Sequence, residues 1–173
     1  MTTPARNGNL NVERDDSGEH AINAMACEYR RMHHFSIVFW NINGFKNLYR
    51  MDAYQEAQLK AIDIICLTET WLVGEDTALP ESFNEFNIVL SSATKKKSLG
   101  RASGGLAVLY KKQLKCRIIE KTNLWICCHF QQISDRFILM SNYWKPDANI
   151  YFCTEEMSDT VNKAQIDYPN TSW

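Results

Sequence analysis

Between Phe35 and Glu69 the chain sets down a strand, a turn, a helix and a second strand, and this order restricts its fold more than any other feature. "FSIVFW" (35–40) is rich in β-branched and aromatic residues, as a strand requires. "NING" follows, where Asn and Gly tolerate left-handed backbone. "YRMDAYQEAQLKAI" (49–62) is made of good helix formers and would place Tyr54, Ala57, Ala61 and Ile62 on one face. "DIICLTE" (63–69) reads as a buried strand. If the two strands pair in parallel, the crossover brings their ends to the same sheet edge, with Asn41 beside Glu69.

Further on, "TWLVGEDTALPESFNEF" reads as a polar loop, "NIVLSS" as a short strand and "ATKKKSLGRASGG" as a loop. Four strand-like runs then follow at close spacing: "GLAVLYKK", "CRIIEK", "LWICCHF" and "RFILMSNYW". Together they suggest an antiparallel meander. "NIYFCTEEMSDTVNKAQI" reads as a helix with Ile150, Cys153, Met157 and Val161 along one side. Residues 1–32 are polar without periodicity and are expected to be a flexible lead, with residues 33–173 as the folded domain. His33 and His34 at its entrance are read as incidental rather than as metal ligands.

At 173 residues and 45% apolar content the chain is sized for one ordinary globular core. No apolar run approaches the roughly 20 residues that span a bilayer, and the N-terminal stretch lacks the apolar centre of a secretory signal. A soluble intracellular protein, nuclear or cytoplasmic and without membrane contact, is expected. The six cysteines (27, 66, 116, 127, 128 and 153) lie mostly in apolar runs without C-x-x-C spacing, so reduced, buried thiols are expected. The net charge of −1 conceals an uneven distribution. From Lys95 to Lys121 nine Lys/Arg face a single acid, Glu120, whereas Glu69 to Glu85 holds five acids and no base. Such a pair of segments suits either a phosphodiester with a metal pocket or two ordinary solvated surfaces.

Individual residues leave two readings open. Asn41 and Asn43 form either a plain turn or amides aimed at a metal or phosphate. Glu69 is either a hydrated strand end or a magnesium ligand, since Mg²⁺ is held by one or two carboxylates together with waters and substrate phosphate. Tyr143 either packs or donates a hydrogen bond to a phosphate oxygen. Arg101, in "GRASGG", lies on a glycine-flanked basic loop able to approach a phosphate backbone, and Lys95, Lys96 and Lys97 extend that charge.

The order "WNING", "IICLTETW", "GRASGGLAVLY", "SNYWKPD" resembles the endonuclease/exonuclease/phosphatase superfamily, and most of all the endonuclease domain of non-LTR retrotransposons. The likeness covers residues 35–173. It implies an α/β fold, here half of a four-layer α/β/β/α sandwich with a mixed, largely antiparallel sheet. It also implies Mg as cofactor, DNA as partner and metal-assisted hydrolysis of a phosphodiester. The residues it carries over are Asn41, Glu69 and Tyr143 as catalytic groups, Glu69 with Asn41 and Asn43 around the metal, and Arg101 with Lys95, Lys96 and Lys97 toward nucleic acid. The family's Asp-x-Asn motif, in a Gly-Asp-Phe-Asn strand, and its closing Ser-Asp-His are read as missing. A truncated domain, inactive as this chain, is therefore expected, with an apolar sheet face left for a partner to cover. A non-catalytic remnant that binds nucleic acid or protein through Lys95–Lys121 is the alternative. The superfamily's lipid-hydrolysing branches are a third reading, disfavoured by "TETW" and "GRASGGLAVLY".

Overall fold

A computed structural model describes residues 35–74, 77–95, 100–132, 135–145, 148–169 and 171–172. The expectations for the 1–32 lead, His33, His34, Cys27, Lys96 and Lys97 fall outside these residues.

The β-α-β opening is present. Strand β1 (Ile37–Asn41) leads through a 3-10 turn (Phe45–Arg50) to helix α1 (Ala53–Lys60) and strand β2 (Ile64–Thr68). β1 and β2 pair in parallel, with Asn41 opposite Thr68. The helix is shorter than expected because Asp52 starts it. The Asp52 carboxylate accepts from Gln55 N at 2.8 Å, and the Gln55 amide oxygen accepts from Asp52 N at 3.3 Å. This reciprocal cap fixes the N-terminus at Asp52 and leaves Tyr49 and Arg50 in the 3-10 turn. Tyr54, expected on the inner face, is exposed, while Leu59 and Ile62 meet the core.

β3 (Phe86–Ser91) and β4 (Leu106–Lys111) complete a mixed sheet of order β1-β2-β4-β3, whose two later pairings are antiparallel. β5 (Lys115–Lys121), β6 (Trp125–Gln132) and β7 (Asp135–Asn142) form a separate antiparallel sheet, and helix α2 spans Ile150–Asp167. The expected four-strand meander is thus three strands, because β4 belongs to the first sheet. The short turn after Lys111 carries the chain from one sheet to the other.

That switch changes how the apolar faces are covered. Ile64, Cys66, Leu106 and Val108 of the first sheet pack against Ile126, Cys128 and Phe130 of the second, with Leu114 at the turn. Tyr110 and Phe130 meet edge-on at 5.5 Å. On the far side of the first sheet, Ile65, Leu67, Ala107 and Leu109 bury against Ile42, Phe45, Leu48 and Phe83. On the far side of the second, Trp125, Cys127 and Ile138 bury against Ala164 of α2. Helix, sheet, sheet and helix therefore succeed one another within the described residues, and the expectation of a whole sheet face awaiting a partner does not hold. What stays open is the inward side of β1, where Phe39 is 59% exposed in register with buried Cys66. α2 turns inward close to the expected face: Cys153 is buried and Met157 and Val161 are half-buried, but the stripe is centred on Cys153, Thr160 and Ala164, and Ile150 is exposed. Thr160 is drawn in by the Glu120 carboxylate, which accepts from its hydroxyl and from Trp125 Nε1.

The cysteines at 66, 116, 127, 128 and 153 are free thiols. Cys66, sealed between the sheets, has its pKa pushed up to about 12 by burial. The folded state therefore keeps this proton where the unfolded chain, with an ordinary thiol pKa near 8.5, releases it. Below about pH 8.5 the thiol leaves stability unchanged. As pH rises above that value, unfolding gains about 1.4 kcal/mol per unit from this group, so that roughly 2 kcal/mol is lost by pH 10. Urea titrations across pH 8–10 should show a shallower alkaline loss in Cys66→Ala than in the parent. Equal slopes would show that Cys66 does not hold its proton in the folded state.

Candidate active site

The site forms where β1 and β2 end, β4 begins and β7 runs out. Its frame is the segment Thr68–Trp71, clamped from both sides by backbone hydrogen bonds. On one side Ile42 N, Gly44 N and Phe45 N donate to the carbonyls of Thr68, Glu69 and Thr70 at 3.0, 2.8 and 2.8 Å. On the other side Thr70 N and Trp71 N donate to the carbonyls of Gly105 and Gly104 at 3.2 and 3.0 Å. "NING" and "GRASGG" thus meet across "TETW".

The clamp holds an unusual backbone. Glu69 and Trp71 sit at φ of +56° and +57°. For residues with large side chains this left-handed geometry costs about 1–2 kcal/mol each, and it persists only where surrounding contacts fix it. One consequence is that both side chains come to the same place. Trp71 Nε1 donates to Glu69 Oε2 at 2.6 Å, and Gly104 N donates to the same oxygen at 3.2 Å. The Tyr143 hydroxyl also bonds the Glu69 carboxylate. The Arg101 guanidinium lies over the Trp71 ring, 3.8 Å from its centroid.

These contacts set the charge states. Burial by itself would raise the Glu69 pKa, but the bonds from Tyr143, Trp71 and Gly104 and the charge of Arg101 outweigh it, and the carboxyl is held below its usual range. Tyr143 moves the opposite way, up to about 12, through its bond to Glu69, then burial, then the Glu69 charge. At neutral pH the pair is therefore a carboxylate beside a protonated phenol. That phenol is a donor and not a base.

Asn41 and Asn43 are at the same sheet edge as Glu69, as the β-α-β order requires. They form a true turn: Asn41 Oδ1 accepts from Asn43 N at 3.1 Å, and Asn43 is left-handed at φ +51°. Asn47 steadies the turn by donating to the carbonyls of Ile42 and Asn43. Neither asparagine is hydrogen-bonded to Glu69. Thr94 and Ser103 exchange paired backbone hydrogen bonds, which hold Arg101, two residues before Ser103, near the site, and Lys95, next to Thr94, is exposed.

Three participants carried no role in the sequence reading. Trp71 was visible only as part of "TETW", and its contact with Glu69 depends on a left-handed backbone that no propensity assigns to Trp. Gly104 supplies a backbone donor. Lys145 lies over Gly104, such that a Cβ built on that glycine would stand 3.2 Å from Lys145 Cε and 3.9 Å from Nζ. Its position directly after "SNYW" was the available signal. One Asp-x-Asn spacing also occurs, Asp147-Ala148-Asn149, against its expected absence. Asp147 is outside the described residues, and the Asn149 side chain caps α2 by accepting from Phe152 N.

Among the described residues no group of three or more His, Cys, Asp and Glu could cage a metal ion. A single carboxylate beside amide oxygens is a hard, oxygen-only donor set. It suits Mg²⁺, which keeps its waters and shares phosphate oxygens, better than a metal that needs a protein cage. No helix among the described residues is long and apolar enough to cross a membrane.

No protein-family model matches the chain, and no curated protein matches it. Solved structures similar to it include the AP endonuclease LMAP from Leishmania major, at 15% identity and a TM-score of 0.46, covering 78% of this chain and 47% of the other. The endonuclease domain of TRAS1, a telomere-specific non-LTR retrotransposon, aligns at 16% identity and a TM-score of 0.48, covering 77% and 54%. The Xenopus laevis APE2 catalytic domain aligns at 16% and 0.45, covering 71% and 49%. The chain spans about half the length of these structures.

Proposed function

We propose that this chain is part of a Mg²⁺-dependent, endonuclease-type phosphodiesterase domain of the superfamily its motifs resemble, and that the part in hand grips metal and DNA phosphate. The observation carrying this reading is the Glu69 carboxylate, fixed at a left-handed strand end and met there by Tyr143, Trp71, Gly104 and, through Trp71, Arg101. Trp71 and Gly104 bond Oε2 and Tyr143 bonds the carboxylate as well, so its remaining lone pairs would meet a cation, with Asn41 and Asn43 at the same sheet edge. When bound, Mg²⁺ would supply neutralisation of charge on phosphate oxygens. The chain's own residues do the rest. Tyr143, kept protonated, would turn its one proton from Glu69 to a phosphate oxygen; Arg101 and Lys145 draw the backbone in; Lys95, Lys96 and Lys97 extend the cationic approach.

Within the described site there is one carboxylate and no histidine, so these residues bind a phosphodiester without a positioned base to activate water. Capture rather than turnover is the proposed activity of this chain alone. The test is retention and nicking of a supercoiled plasmid in Mg²⁺ and in EDTA. Retention that requires Mg²⁺, without nicking, is the expected result. Mg²⁺-dependent nicking would overturn the capture-only part and keep the site. Retention indifferent to EDTA but steeply dependent on salt would overturn the metal site in favour of simple binding by the Lys95–Lys121 segment.

A further inference from the structure

A cavity of about 390 Å³ opens on the outer face of the second sheet, beside the C-terminal end of α2. It is remote from Glu69. Arg136 and Lys115 both lie opposite Gln131, whereas Trp125, six residues back along β6, pairs with Asn142 next to Tyr143. At about 3.3 Å per residue the two places are roughly 20 Å apart along the sheet.

The strand register explains the lining. Arg117 pairs with His129, and Lys115 and Arg136 pair with Gln131, so these side chains share the face that carries Trp125 and Cys127 further along. The charged and titratable groups around His129 are Lys115, Cys116 and Arg117 from β5, Arg136 from β7, and Asp167 and Tyr168 from the end of α2. Three permanent cations thus face one carboxylate. None of the four makes an ion pair among the described residues; Arg117 has only the Tyr168 ring, 5.9 Å from its centroid.

At the floor of the cavity, His129 stacks on Tyr168 with ring centroids 4.4 Å apart and planes 20° from parallel. Its Nε2 is buried without a hydrogen-bond partner. Burial, then Arg136, then Arg117 hold the His129 pKa below the usual imidazole value. The imidazole is kept neutral beside Arg117 and Arg136, and an anion between the two arginines would offset their charge and raise its pKa.

We propose that this cavity binds a phosphate group, held between Arg117 and Arg136 beside the His129–Tyr168 stack. Guanidinium forks match the tetrahedral oxygens of phosphate, and the volume admits the phosphate with an attached sugar. The group could belong to a free phosphate compound or to a nucleic-acid backbone, and the two are separable. The site stands independently of the Glu69 cluster.

The test is an NMR titration of the His129 ring in the full chain, assigned with His129→Gln, in inorganic phosphate and in chloride at equal ionic strength. Phosphate is expected to raise the His129 midpoint by at least about half a unit, and Arg136→Gln, a change at an exposed residue, to abolish most of the rise. If an oligothymidine without terminal phosphate produces the same shift, the source is the nucleic-acid backbone. If only inorganic phosphate and a mononucleotide do so, it is a small phosphate compound. An identical midpoint in phosphate and chloride, or a rise that survives Arg136→Gln, would overturn the proposal.

Discussion

Gly105→Ala is expected to cost about 3–4 kcal/mol, a large share of the roughly 5–15 kcal/mol that holds an ordinary domain folded. Two separate penalties combine. Gly105 has φ +87°, a conformation that an L side chain adopts only with strain, and a Cβ there would stand 2.4 Å from Thr70 Oγ1 and 3.1 Å from Ala93 Cβ. Thr70 is itself buried and held by its backbone bond to Gly105, so it has no room to withdraw. Gly100 separates the two penalties. Its φ is +114° but a Cβ there would meet nothing within 4 Å, so Gly100→Ala should lose only the conformational part, about 1–2 kcal/mol. Urea denaturation of both variants measures the difference. Adding Thr70→Ala to Gly105→Ala should then recover part of the steric penalty, since it removes the nearest atom. A Gly105→Ala protein as stable as Gly100→Ala would mean that the β2–β4 junction is looser than these contacts require.

That junction also marks where the sequence could be read and where it could not. The β-α-β opening was legible because each piece carries a local signal: β-branched residues in β1, the helix formers of 49–62, and the uninterrupted apolar run of β2, whereas the Asp52–Gln55 cap that starts α1 went unread. Placing Asn41 and Glu69 at one edge then required only the handed crossover. The division of four strands into two sheets was missed, although the signal was present. "GLAVLY" is apolar at every position and "KCRIIEK" is not, the difference between a central strand buried on both faces and an edge strand. Spacing alone treats them as equals. The inward face of α2 was read through Cys153, Met157 and Val161, but the burial of Thr160 was not, because it satisfies Glu120, a contact 40 residues distant that helical periodicity cannot reveal. At the site, Glu69 stood out as an acid closing a buried strand. Trp71 and Lys145 did not, since the first depends on a strained backbone and the second on where β7 ends in space.

The contact between Trp71 and Glu69 divides the proposed metal site into a ligand and its support, and the two should fail by different amounts. Glu69→Gln is expected to reduce Mg²⁺-dependent DNA retention by at least about a hundredfold, because the charge that holds the cation is gone. The fold should survive it. The Gln oxygen can still accept from Trp71 Nε1 and Gly104 N, which turns its NH₂ group to where Oε1 stood, and that group repels a cation. Trp71→Phe keeps an aromatic ring for Arg101 and Gly44 to pack on but deletes the 2.6 Å donor to Oε2. The carboxylate then keeps its charge and loses its orientation, so a loss of about tenfold in the Mg²⁺ midpoint is expected, with DNA retention restored at higher Mg²⁺. Glu69→Gln should show no such rescue at any concentration. Magnesium titrations of plasmid retention with the parent and both variants check the ordering. If Glu69→Gln binds as the parent does, the site is not a metal site; if Trp71→Phe alone is silent, Glu69 holds the ion without help, and the left-handed backbone at Trp71 serves the packing of Arg101 instead.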